Sequence, residues 1–240
     1  MDYCTSTFHA IEDELRSCLR YAISDSKRPV FDALIDVFKT YYERPCHNMA
    51  ELKKRTQKSK GTAFEVFCVM WLKAKGYNDV WMLSETPQDV LTLLGLTTYD
   101  CGIDLIARVN KNDKLLYFPI QCKYRKPVKN RLGQLEHKVK WADVSTFLSL
   151  CTRSGVEYST NSRGWTKHII MTNADNVCWR GKKTQKDYTI AKKTFENCNN
   201  MFWIKFLSKT QSEPVAQELP KTESIRDKRQ AWLDRLALKV

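Results

Sequence analysis

Residues 102–125, GIDLIARVNKNDKLLYFPIQCKYR, decide how this chain folds. Ile103–Val109 and Leu115–Arg125 are two largely apolar runs around Asn110–Asp113, whose composition suits a tight turn, so the stretch predicts a β-hairpin. Successive strand side chains leave opposite faces of a sheet. Leu116, Phe118, Ile120 and Cys122 therefore share one face, while Gln121 and Lys123 project together from the other. In the first strand Ile103, Leu105, Ala107 and Val109 form an apolar face and leave Asp104 opposite, just after the flexible Gly102. Pairing across the turn brings Asp104 near Gln121 and Lys123.

Upstream, Gly61–Gly76 predicts a helix apolar on nearly every side (Phe64, Val66, Phe67, Val69, Trp71, Leu72), hence one buried against a sheet. Gly76 ends it. Asp79–Leu83 follows as a short strand and Pro87–Leu94 as an inserted helix starting at a proline. Further upstream, apolar residues recur at helical spacing from Phe8 to about Tyr42, interrupted at Ser24–Pro29, and predict two helices. A third, Met49 to roughly Lys58, carries Lys53, Lys54, Arg55 and Lys58 and is too basic for a core. Downstream, the pattern predicts a helix from about Trp141 to Cys151, with Trp141 read first as a core residue and second, with Tyr124, as a surface for stacking on bases or sugars, and two strands at Lys167–Thr172 and Met201–Phe206. Residues 208–240 combine a linker bearing Pro214 and Pro220 with an amphipathic helix near Ser224–Leu238. The order predicts an α/β fold: a mixed sheet flanked by helices, preceded by an N-terminal helical extension over 1–60.

Forty Lys and Arg against 27 Asp and Glu give a formal net charge of +13, which favours a polyanionic partner through steering and counterion release. Seven cations, Lys123, Arg125, Lys126, Lys129, Arg131, Lys138 and Lys140, crowd one stretch opposed only by Glu136; Arg163, Lys167, Arg180, Lys182 and Lys183 extend it. Nine cysteines without a C-x-x-C pair, in a chain too large to need staples, indicate reduced thiols and an intracellular compartment. His9, His47, His137 and His168 have no zinc-like spacing to them. The N-terminus lacks the apolar run of a signal peptide, and no stretch is long enough for a membrane span.

A carboxylate, an amide oxygen and an ammonium on adjacent strands suit phosphate chemistry. Asp104 would hold a hard cation, Mg2+ or Mn2+, Gln121 or the backbone carbonyl of Cys122 would add a second oxygen, and water would complete the shell. Such an ion would supply a more acidic water, and Lys123 would orient the nucleophile or neutralise the developing oxyanion. Taken singly, Asp104 is better explained as a turn residue, and Gln121 and Lys123 as solvent-facing strand positions; together, on otherwise apolar strands, they point to a site. Glu65 has two readings. Thr62-Ala63-Phe64-Glu65 matches a capping box, and a carboxylate interrupting an apolar run also calls for a charged partner or metal.

Gly61-Thr62-Ala63-Phe64-Glu65, Asp100-Cys101-Gly102-Ile103-Asp104 and Gln121-Cys122-Lys123 together resemble the PD-(D/E)XK nuclease superfamily, most closely its Mrr-like restriction endonuclease branch, where the third motif is often Gln-x-Lys. The resemblance covers roughly Gly61 to Asp175, including a later core strand at His168–Asn173. It implies a nuclease core over 61–207, with Asp104 as the metal-binding aspartate, Gln121 at the position of a metal-coordinating acid, Lys123 as the catalytic lysine and Glu65 as the glutamate of the first core helix. Gln121 in place of an acid lowers the negative charge of the site. The implied activity is metal-dependent hydrolysis of phosphodiester bonds in DNA, with Arg125, Lys126, Lys129, Arg131, Lys138 and Lys140 contacting the nucleic acid. The alternative is a catalytically weak or inactive nuclease fold that binds or targets DNA within a larger assembly. A homodimer and a helicase or other DNA-processing partner stay open.

Overall fold

The computed structural model describes residues 2–24, 28–42, 49–98, 102–151, 168–178 and 189–208; of the side chains at 2–7, 37–42, 49–59 and 176–178 nothing is said. The chain divides into two units, Met1–Lys209 and Thr210–Val240. The second unit lies outside the described residues, as do Asp100, Cys101, Arg163, Lys167, Arg180, Lys182, Lys183 and the helix expected near Ser224–Leu238.

The central sheet is mixed. Strands β1 (Asp79–Met82), β2 (Leu105–Lys111) and β3 (Lys114–Lys123) form an antiparallel meander, and β3 continues in parallel to β7 (Ile169–Thr172) and β9 (Thr189–Ile190), in the order β1-β2-β3-β7-β9. The β2–β3 hairpin closes on Asn112 and Asp113, both at positive φ (51° and 60°), with Lys111 paired to Lys114. A two-residue turn of this hand follows the twist of the strands and is tolerated best by Asn, Asp and Gly.

Alternation along the strands divides the core into two layers. Leu105, Ala107, Ile120, Cys122, Ile169 and Met171 join the cluster built on α3 (Met49–Lys75), together with α1 (Asp2–Ser24), α2 (Val30–Tyr42), α6 (Lys192–Glu196) and α7 (Asn200–Ser208). Ile106, Tyr117 and Ile170 face the opposite cluster, to which α4 (Gln88–Leu94) brings Val90, Leu91 and Leu94, and α5 (145–151) brings Phe147, Leu148 and Cys151. Helix α2 belongs to this core: Phe31 is fully buried and stacks on Phe195 at 4.5 Å. The remaining strands are short. β4 (Val128–Lys129) pairs with β5 (Leu135–Glu136), and β6 (Lys138–Lys140) runs parallel to β8 (Asn176–Cys178).

Three expectations are corrected. Met201–Phe206 is helix, not strand: Asn199 caps α7, its Oδ1 accepting the N–H of Phe202 at 2.9 Å, and Trp203 and Phe206, three apart, bury one helical face against Phe67. The helices expected at Met49–Lys58 and from Gly61 are one, α3, which runs through Gly61 without a break and ends at Gly76. There the N–H groups of Gly76 and Tyr77 fold back to the carbonyls of Lys73 and Leu72, with Gly76 at φ 98°, the left-handed helix stop that glycine accommodates. Trp141 opens a short 3-10 turn (Trp141–Asp143) ahead of α5 and is 42% exposed instead of buried.

Candidate functional site

Asp104 is held where β2 begins. Its N–H donates to the carbonyl of Ile120 (2.9 Å), its carbonyl accepts the N–H of Leu83 (3.0 Å), and its Oδ2 accepts the N–H of Cys122 (2.7 Å). Gly102 makes this approach feasible. At φ 100° it adopts a conformation that side chains disfavour, and a Cβ there would lie 3.1 Å from the backbone nitrogen of Phe147 in α5.

Across the hairpin, β3 carries Gln121, Cys122 and Lys123, in register with Ile170, Met171 and Thr172 of β7. Gln121 is 3% exposed, and among the described residues its Oε1 has no hydrogen-bond partner. A buried acceptor left unpaired costs about 1–3 kcal/mol, so something must favour keeping it there. Where the chain leaves the strand, β7 latches it. Thr172 Oγ1 donates to the carbonyl of Lys123 (2.6 Å), and the Asn173 amide takes both backbone groups of Arg125, accepting from its N–H (2.7 Å) and donating to its carbonyl (2.9 Å).

Glu65 enters from α3. Because that helix is continuous, Glu65 lies in its interior and the capping-box reading fails. Burial, and then the negative charge of Asp104, push its carboxyl up to about 7, against the pull of Lys123. Burial also raises Asp104, opposed by the Cys122 N–H and by Lys123. Glu65 thus lies within the fields of both Asp104 and Lys123, and Asp104 within that of Lys123. Burial pushes the thiol of Cys122 well up and raises that of Cys68, to which it hydrogen-bonds, so neither supplies a nucleophile near neutral pH.

A family model described as restriction endonuclease, of the Mrr type, matches residues 71–202, more than half of the chain. This chain belongs to the Mrr-like restriction endonuclease family. No curated protein and no solved structure matches it at a significant level. Asp104, Gln121 and Lys123 of this nuclease fall inside the matched span; Glu65 precedes it.

Among the described residues no group of three or more His, Cys, Asp and Glu side chains is placed to hold a metal ion. The candidate donors are of another kind: the carboxyls of Asp104 and Glu65, and, on β3 across the hairpin from Asp104, the amide oxygen of Gln121 and the backbone carbonyl of Cys122. All are hard oxygens, the type that Mg2+ and Mn2+ prefer. The Glu65 carboxyl is raised by burial and the charge of Asp104, and the buried Gln121 amide oxygen is orphaned; hard-oxygen donors left in this state fit a divalent cation.

The basic stretch separates into paired and exposed cations. Arg125 forms an ion pair with Asp143 (2.7 Å) and Lys138 one with Glu136 (3.7 Å), whereas Lys126, Lys129, Arg131 and Lys140 are exposed. The sequence reading missed Thr172 and Asn173 as the residues that position the exit of β3. The available signal was a Thr-Asn pair closing an otherwise apolar run, since buried polar side chains require partners.

Proposed function

We propose that this nuclease is a magnesium- or manganese-dependent endodeoxyribonuclease whose site is Asp104, Gln121 and Lys123 with Glu65. The carrying observation is that, beyond burial, the charge of Asp104, at the start of β2, raises the carboxyl of Glu65 on α3, with both carboxyls within the field of Lys123. A divalent cation, when bound, supplies Lewis-acid polarisation of a phosphate and a more acidic water. Asp104 would be its principal ligand, the carboxylate oriented by the Cys122 N–H. The amide oxygen of Gln121 and the backbone carbonyl of Cys122 would be the neutral ligands. Glu65, which gives up its proton near neutrality, would support the site as a carboxylate.

The Lys123 ammonium remains for the substrate, where it donates hydrogen bonds to a non-bridging phosphate oxygen and offsets charge developing in the transition state. The Thr172 bond to its own carbonyl fixes the backbone from which it reaches. The exposed Lys126, Lys129, Arg131 and Lys140 hold the sugar-phosphate backbone without reading bases. Purified protein with Mg2+ or Mn2+ is expected to cut duplex DNA, and Asp104→Ala and Lys123→Ala to abolish cutting while the circular dichroism spectrum is preserved. Salt-sensitive DNA binding without cleavage under any metal would reassign the fold to a binding module.

A further inference from the structure

Immediately after β3 the chain projects a small hairpin, β4–β5, with three of the most exposed large apolar side chains among the described residues: Leu132 at 81%, Leu135 at 68% and Val128 at 53%. A two-stranded ribbon has too little apolar area to be stable alone, so exposing this much of it calls for a use. Its tip is nevertheless firmly built. Asn130 accepts through Oδ1 from the N–H groups of Leu132 (2.9 Å) and Gln134 (3.0 Å), its own N–H donates to the carbonyl of Gln134 (2.8 Å), and its carbonyl accepts from Gly133 (3.0 Å). Leu132 is therefore presented on a fixed turn, which lowers the ordering cost of any contact it makes.

We propose that Leu132 is a wedge that inserts between base pairs of a DNA duplex and unstacks one step. The occupant is chosen by charge: Lys126, Lys129 and Arg131, all exposed, lead into the apolar tip along the chain, a composition suited to phosphates beside a groove and ill suited to an apolar protein partner. Reach agrees. Leu132 is nine positions beyond Lys123, so the tip lies within about 30 Å of that lysine along the chain, less than one turn of duplex. Insertion of an apolar side chain with flanking cations kinks the duplex and admits more of it to the protein surface. The proposal rests on the reading that DNA is the substrate.

The test uses the full chain in EDTA at low salt, with short duplexes carrying 2-aminopurine at successive positions, binding followed by anisotropy and unstacking by 2-aminopurine fluorescence. Wild type and Leu132→Met are expected to raise the fluorescence several-fold on binding. Leu132→Ala is expected to bind with little loss and to lose the rise; the exposed position makes misfolding no explanation. Wild-type binding without the rise, or a full rise with Leu132→Ala, overturns the wedge. So does a dimer, seen by light scattering, that Leu132→Ala converts to monomer, which would assign the tip to a second copy. Because no metal is present, the two readings fail separately: unstacking without cleavage in Mg2+ or Mn2+ sinks only the nuclease assignment, and cleavage without unstacking sinks only the wedge.

Discussion

The backbone N–H of Cys122 donates to Oδ2 of Asp104 across 2.7 Å, so the peptide between Gln121 and Lys123 is itself what fixes the carboxylate. An asparagine at 104 can accept the same bond through its amide oxygen, which separates charge from architecture. Asp104→Asn is expected to fold with an unchanged melting temperature and to lose cleavage by on the order of 100-fold or more, as a removed transition-state interaction does. It should also draw the carboxyl of Glu65 downward, because the charge of Asp104 is the second contributor to that shift after burial. Carbon-detected NMR titration of Glu65 reads this directly; an unmoved Glu65 would place the two carboxyls out of range of each other.

Glu65 makes the metal-free protein sensitive to pH. Its folded carboxyl titrates at about 7 against an ordinary value of 4.5. Below the lower value both states carry the proton and nothing is lost; between the two the unfolded chain has released it and the folded chain has not, so stability falls as pH rises and the loss is complete above about 7. The contribution is at most about 3 kcal/mol. Urea unfolding in EDTA at pH 5 and pH 8 is expected to show this decline in wild type and a flatter profile in Glu65→Gln. Added Mg2+ should recover stability at pH 8, and binding near pH 7 should release protons, measurable by calorimetry in buffers of different ionisation enthalpy.

The β2–β3 hairpin was legible in the sequence because alternation from Leu105 onward and a two-residue turn agree, and local agreement of this kind is how a chain specifies a fold. Ile103, expected on the face of Leu105, instead joins the opposite layer with Ile106, because regular alternation starts only with β2. Met201–Phe206 was not legible as helix. A short apolar run has no decisive period, and its state is set by the Asn199 cap and by the partner Phe67, more than a hundred residues away in sequence. Glu65 was ambiguous for a related reason: Thr62-x-x-Glu65 is a helix start only if the helix starts there, and the fusion of two predicted helices through Gly61 is a tertiary outcome. The Thr172 and Asn173 latches depend on the parallel pairing of β3 with β7, which no local pattern encodes.

Those latches predict a positioning effect distinct from catalysis. Thr172→Val removes the donor to the Lys123 carbonyl and the acceptor for the Ala174 N–H in a fully buried place, and is expected to cost about 1–3 kcal/mol in stability. Asn173→Ala frees both backbone groups of Arg125. For each variant, at a temperature where it is folded, kcat is expected to fall with KM for duplex DNA nearly unchanged, while Thr172→Ser restores kcat. A rise in KM at constant kcat would assign these residues to substrate binding instead.

Gly102 predicts a sharper loss than its size suggests. Gly102→Ala combines a positive φ of 100° with a contact of 3.1 Å to the backbone of Phe147, which has no flexible end to swing aside. The expected destabilisation is about 1–3 kcal/mol, with activity reduced further because the displaced segment carries Asp104. Comparing denaturation midpoints with cleavage rates checks both; a variant as stable and active as wild type would mean that α5 yields freely at this point.

The division of the basic stretch predicts different salt signatures. Lys129 and Arg131 are exposed, so converting either to Ala should lower the slope of log binding constant against log salt by roughly 1, the counterion released at one phosphate contact. Arg125 is paired with Asp143, so Arg125→Ala removes an internal ion pair and should change the slope by much less. Fluorescence anisotropy with one duplex across a salt series, in EDTA, distinguishes them. If Arg125→Ala lowers the slope as much as Lys129→Ala, the guanidinium exchanges Asp143 for a phosphate on binding, and the ion pair is a resting state that DNA displaces.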